Sequence, residues 1–178
     1  MPGPVASPAV QRARVLELDV PSRPEYIAIV RLVVASVASL RRAMVDERID
    51  DLKLAVSEAC TNAIEANRLV NPGASVHIEI WEEPDRLEIT IDDCGPGFDL
   101  DKLASPPPVT DPERLNFERG LGIPLIRTLV DDAAFVRREK GTSVRLTIFG
   151  GPADGDDTAT IYIDVSNLPS LGQSDQES

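Results

Sequence analysis

The run from Ile49 to Asn67, IDDLKLAVSEACTNAIEAN, constrains the fold more than any other stretch of the chain. Its spacing predicts one helix from Asp50 to Asn67. Leu52, Val56, Ala59, Ala63 and Ala66 recur at steps of three and four, so they form a core-facing stripe. Glu58 and Asn62 are four apart and lie one turn above the other on an adjoining edge, with Glu65 continuing the row. Two readings of that edge stand open. It can be a pair of oxygen ligands aimed into a cleft, of the kind a hard cation such as Mg²⁺ accepts together with water and phosphate. It can equally be the wet edge of a surface helix.

Alternation predicts the strands around it. Val15 to Val20 reads as a strand, at a sheet edge, broken by Pro21-Ser22-Arg23-Pro24. Ser22 is placed to cap a helix with Pro24 in its first turn, and Tyr26, Ile29, Val30, Val33, Val37 and Leu40 carry that helix to about Met44. VDERID is then a polar link, with Asp46 or Asp50 able to cap the helix that follows. Asn71-Pro72-Gly73 closes it. Ala74 to Trp81 and Arg86 to Ile91 alternate as two strands joined through Glu83-Pro84-Asp85, with Val76, Ile78, Ile80, Leu87, Ile89 and Ile91 on the apolar side. His77, the only histidine, falls on the opposite side and reads as a solvated strand residue.

Glycines then punctuate the chain. Asp92-Asp93-Cys94-Gly95-Pro96-Gly97 leaves the second of these strands directly, and glycines at that spacing let backbone turn sharply and approach a flat or anionic ligand. Many strand-ending turns share this D-x-G-x-G pattern. Residues 100–118 have no periodicity and hold Pro106-Pro107-Pro108 and Pro112, which reads as a lid or a connector. Arg119-Gly120-Leu121-Gly122 opens a helix bearing Leu125, Ile126, Leu129 and Val130, and free N–H groups at such a start make an anion site. Ala133 to Arg137 and Thr142 to Phe149 read as two closing strands, with Gly141 ending the turn between them.

Composition narrows the function classes. A length of 178 residues favours one domain with tails: a disordered segment at 1–12, a domain at 13–150, and a polar tail at 151–178 with one extra strand at 158–165. A net charge of −12 argues against nucleic acid as a partner. The longest apolar stretch, near Ile27 to Leu40, is too short and too polar to span a bilayer. Cys60 lies in the predicted helix and Cys94 in a glycine turn, which argues against a staple and fits a reducing, cytoplasmic setting. Two cysteines and one histidine do not make a zinc site.

The order of these pieces resembles the GHKL ATPase superfamily with its Bergerat ATP-binding fold. VSEACTNAIEA followed by ERGLGIPLIRTLVDD is similar to the anti-sigma-factor serine kinase branch of RsbW and SpoIIAB type, over roughly residues 14–149. The resemblance implies an α+β fold, a two-layer sandwich in which a mixed, mostly antiparallel sheet is covered on one face by helices, with a lid at about 99–118. It implies ATP and Mg²⁺ as cofactors. It makes Asn62 the Mg²⁺ ligand, Glu58 the general base for an attacking serine hydroxyl, and Asp93 the acceptor of the adenine amine. Gly95 and Gly97 would wrap the base and Thr142 would complete that end. Gly120 and Gly122, with Leu121 between them, would face the phosphates, and Arg119 or Arg114 would reach the terminal one.

The activity implied is a serine/threonine protein kinase that also binds a sigma factor, keeps it from RNA polymerase, and phosphorylates a STAS-type anti-anti-sigma protein. A homodimer is implied as well. Ala66 stands where related kinases often carry a histidine, which bears on the transfer rate and keeps a non-catalytic nucleotide-binding regulator as an alternative. A sensor histidine kinase is disfavoured, because no predicted helix carries a histidine.

Overall fold

The computed structural model describes residues 12–41, 44–97 and 122–150, together with the backbone of 161–164. Strand β1 (Ala13–Pro21) leads through one 3₁₀ turn at Pro24–Tyr26 into helix α1 (Ile27–Ser39), and α2 (Asp46–Val70) follows. The hairpin β2 (Ser75–Glu83) and β3 (Arg86–Asp92), helix α3 (Gly122–Leu129), the pair β4 (Asp132–Arg137) and β5 (Thr142–Phe149), and β6 (Ile161–Asp164) complete the chain. The strands form one sheet in the order β4-β5-β3-β2-β1-β6. Every neighbouring pair is antiparallel except β1 with β6, which is parallel. This is the two-layer α+β arrangement that the resemblance implies.

Period-two patterning puts one side chain in two on the helix side. Leu18 lies opposite Ile78 and Ile78 opposite Ile91, so apolar residues form rows across the strands. Those rows, with Leu146 and Ile148 of β5, bury against Val30, Val34 and Ala38 of α1 and Leu52, Val56, Ala59 and Ala63 of α2. Cys60 belongs to the same core, where burial pushes its thiol up to about 12. The other face of β1 and β2 is ionic. Arg14 bonds Glu79 at 2.9 Å and pairs with Glu17 at 2.7 Å, and His77 Nδ1 lies 2.9 Å from Asp19. His77 therefore faces away from the core but is half-buried and partnered rather than simply solvated. Among the described residues, no helix is long and apolar enough to cross a membrane.

Several expectations are corrected. Ser22 caps nothing: the cap position of the 3₁₀ turn is Arg23, and the Ser22 hydroxyl donates instead to the Ala74 carbonyl at 2.6 Å. The first helix stops at Ser39, before Met44. VDERID is not a link, since α2 begins at Asp46, its cap position is Val45, and neither Asp46 nor Asp50 caps it. Asp46 and Glu47 sit in the first turn, where their charge suits the helix dipole. The same helix runs on to Val70, past Asn67. Within its stripe, Ala66 is only partly buried, whereas Ala55, Ile64 and Asn67 are buried. β1 is not an edge strand, because β6 of the tail pairs along it. The N-terminal segment 1–11 and residues 98–121, which hold the expected lid, lie outside the described residues.

Between α1 and α2, Arg41 is buried with its side chain fully enclosed. Burial lowers its pKa from the usual arginine value, and the Glu82 carboxylate opposes that shift. The guanidinium donates to Glu82 at 2.5 Å and to the carbonyls of Glu83 and Gly150 at 3.0 and 2.6 Å. It thus ties the helix connection to the β2–β3 turn and to the end of β5. Losing it strands those carbonyls and leaves Glu82 without its cation. Arg41→Ala should lower stability by about 3 kcal/mol, and Arg41→Met, which keeps the apolar stem, by less. Urea midpoints of the two variants check this ordering.

Candidate functional site

Helix α2 positions the site because its buried stripe fixes its rotation. With Val56, Ala59 and Ala63 against the sheet, Glu58 and Asn62 come to the rim, both half-buried. Helix α3 starts against them. A methyl group on the Gly122 Cα would lie 3.2 Å from Glu58 Oε2, 3.3 Å from Asn62 Nδ2 and 3.6 Å from Asn62 Oδ1. A carboxylate, a carboxamide and the N-terminus of a helix therefore converge, and a methyl group on Gly122 would crowd both side-chain ends. The first N–H groups of α3 have no partner within the helix, and its dipole favours negative charge there.

The second half of the site lies at the end of β3. Asp93 is 8% exposed. Its Oδ1 accepts N–H bonds from Gly95 at 2.8 Å and Thr142 at 3.1 Å, and the Asp93 N–H donates to the Thr142 carbonyl at 3.0 Å. Both side-chain bonds fall on one oxygen, so Oδ2 is not used by them. Burial raises the Asp93 pKa, the two backbone donors pull it back, and the neighbouring Asp92 charge adds a smaller upward push. Gly141 is pressed against this aspartate. It has φ +90°, and a Cβ on it would fall 1.7 Å from the Asp93 carbonyl oxygen. Gly97 also has positive φ, at +71°.

The two halves meet on α2. A Cβ on Gly95 would lie 2.5 Å from Ala66 Cβ, so the turn after β3 rests directly on the helix. The next residue, Asn67, accepts the Cys94 N–H at 2.7 Å. Glu58, Asn62 and Gly122 are thus brought together at one end, and Asp93, Gly95, Gly97 and Thr142 at the other. Arg114, Arg119, Gly120 and Leu121 lie outside the described residues. Sequence reasoning passed over Gly141 and Asn67. Gly141 was visible only as a turn residue. Asn67 had a signal: it stands four after Ala63, a polar residue on the apolar face.

Residues 20–148 match the family described as histidine kinase-like ATPase domain. The chain is 38% identical over 153 residues to the serine-protein kinase RsbW of Bacillus subtilis, covering 83% of this chain and 94% of the relative. It is 41% identical over 138 residues to the serine-protein kinase RsbW of Bacillus velezensis, covering 74% of this chain and 83% of the relative. A crystal structure of RsbU and RsbW domains from Mycobacterium tuberculosis superposes with a TM-score of 0.53 at 18% identity. That match covers 80% of this chain and 35% of the crystallised one, and it bears on the fold alone.

Two substitutions probe the β3 end. Gly141→Ala should cost more than the roughly 1–2 kcal/mol of a left-handed residue, because the added methyl also collides with backbone. Asp93→Asn should act through pH. The folded protein holds the Asp93 proton more tightly than the unfolded chain does, so ionising it costs folding free energy. That cost accumulates as pH rises from the ordinary aspartate range through the raised value, and the variant lacks it. Urea midpoints from acid to neutral pH should show the variant gaining on the parent as pH rises.

Proposed function

Because the chain belongs to the histidine kinase-like ATPase family, among the RsbW serine-protein kinases, we propose that the two halves of its site hold the two ends of one ATP. The protein is an ATP-dependent serine-protein kinase of the partner-switching type, and its partners are of the sigma-factor and anti-anti-sigma kinds. The observation that carries the assignment of residues is the approach of Gly122 to both Glu58 and Asn62. A carboxylate and a carboxamide beside free helix N–H groups form a set suited to a phosphate and its cation.

In this reading Asp93 Oδ2 accepts the exocyclic amine of adenine, since Oδ1 already serves Gly95 and Thr142. Gly95 and Gly97 keep the turn free of side chains along the base, and Thr142 completes that end. Gly122, with Gly120, Leu121 and Arg119 before it, offers backbone donors and a cation to the phosphates. The donor set at the helix pair fits Mg²⁺, which would be held by Asn62. The oxygen ligands there are hard and few. That suits an ion that fills its shell with phosphate and water. When bound, Mg²⁺ supplies charge neutralisation at the phosphates.

Glu58 takes the proton from a serine hydroxyl of the STAS-type partner. The serine oxygen bonds to the γ-phosphorus, the bond to the bridging oxygen breaks, and ADP leaves. Phosphoserine then places new negative charge at the interface and weakens rebinding. A homodimer working in the cytoplasm completes the proposal. A nucleotide-binding regulator without transfer is the second reading. It is favoured by Ala66, which stands where related kinases often carry a histidine and lies against Gly95.

Incubation with labelled ATP, Mg²⁺ and a purified STAS partner tests these roles. Asn62→Ala should abolish Mg²⁺-dependent nucleotide binding. Glu58→Ala should keep binding and lose transfer by about 10²–10⁴-fold. Parent-like binding and transfer in both variants would sink the assignment, and binding without transfer in the parent would support the regulator.

A further inference from the structure

Asn67 is fully enclosed at 0% exposure, yet its side chain touches three separate parts of the chain. Nδ2 donates to the Ser22 hydroxyl at 2.8 Å and to the Ser75 carbonyl at 3.1 Å. Oδ1 accepts the Cys94 N–H at 2.7 Å. Ser22 is itself held, since its hydroxyl donates to the Ala74 carbonyl. These partners settle the orientation of the amide, because reversing it would face oxygen to the Ser75 oxygen and Nδ2 to the Cys94 N–H. An aliphatic residue would complete the α2 stripe after Ala59 and Ala63 and would fill the same space without needing partners. A polar group here therefore demands a reason beyond packing.

We infer that Asn67 is a positioning residue for the nucleotide, anchoring the turn after β3 to the helix that carries Glu58 and Asn62. It rests on the nucleotide reading above. Glu58 and Asn67 are separated by about 13 Å of helix axis at roughly 1.5 Å per residue. Asn67 stands at one end of that span and the phosphate-side pair at the other. Two contacts set the turn against the span: the Cys94–Asn67 bond and the seat of Gly95 on Ala66. The glycine contact limits how close the turn comes. β5 holds Asp93 through Thr142, and the Cys94–Asn67 bond, directional and enclosed, holds the turn that follows it down on α2. Ser22 and Ser75 hold the carboxamide so that Oδ1 always faces Cys94. Asn67 touches neither substrate nor reacting atoms. It fixes the distance between the adenine acceptor and the general base.

The test uses the full chain with Mg²⁺, ATP or ADP, and the STAS partner. Asn67→Ala should raise KM for ATP and Kd for ADP together, by about tenfold for one enclosed hydrogen bond. It should leave kcat at saturating ATP within about twofold. Asn67→Asp keeps an acceptor for Cys94 while setting a carboxylate beside the Ser75 carbonyl. It should lose stability and hold KM near the parent value, which keeps the inference testable if the alanine variant does not fold. Arg41→Met, distant from the site, serves as a destabilised control and should leave KM unchanged. If Asn67→Ala lowers only stability, as Arg41→Met does, the positioning role is overturned. The same holds if Asn67→Asp raises KM as much as a folded alanine variant does, or raises it about tenfold where the alanine variant does not fold. Asp93→Ala separates the two levels. If it binds ATP like the parent, the nucleotide reading itself fails. If it loses ATP while Asn67→Ala does not, only the role of Asn67 fails.

Discussion

Burial of the α2 stripe sets the rotation of that helix, and the rest of the site follows from it. Each residue advances the helix by about 100°, so side chains cannot be re-aimed independently. With Leu52, Val56, Ala59 and Ala63 enclosed by the sheet, residues 58 and 62 face α3, and residues 66 and 67 meet the turn after β3. Turning α2 by one position would expose several aliphatic side chains, each worth roughly 1.5–3 kcal/mol when buried. The hydrophobic core thereby holds Glu58 and Asn62 in place although it touches neither function.

Close approach is the second theme. Gly95 on Ala66, Gly122 on the Glu58–Asn62 pair, and Gly141 on the Asp93 carbonyl are three places where backbone comes within the space of a methyl group. At Gly95 and Gly141 a side chain would force two elements apart, and at Gly122 it would displace the ends of Glu58 and Asn62. The polar groups set among them are costly to enclose. Asp93 has a raised pKa because its charge is removed from water, and two backbone donors only partly offset this. The cross-strand rows of the core compensate for local costs of this kind.

Much of this was visible in the residues. Alternation at Val76, Ile78 and Ile80 and at Leu87, Ile89 and Ile91 placed the two central strands correctly, because a two-residue period leaves one face to bury. The E-x-x-x-N spacing and the glycines at 95, 97 and 122 marked the residues that the fold brings close, because glycine lets backbone approach without a Cβ in the way. Capping was misread. Ser22 has the chemistry of a cap, but its hydroxyl is claimed by Ala74 and Asn67, which are remote in sequence. VDERID looked like a link because its polarity matches both a loop and the exposed first turn of a helix.

What the sequence determined by itself is therefore the set of elements, the buried faces and the kinds of group available to a ligand. These depend on periodicity and on the intrinsic chemistry of each side chain, which are local properties. The tertiary structure alone decided that the tail strand β6 lies parallel against β1, that Gly122 meets Glu58 and Asn62, and that Asn67 reaches Cys94. Contacts of this second kind join residues far apart in the chain, and their partners exist only after the sheet and the helices have closed on a common core.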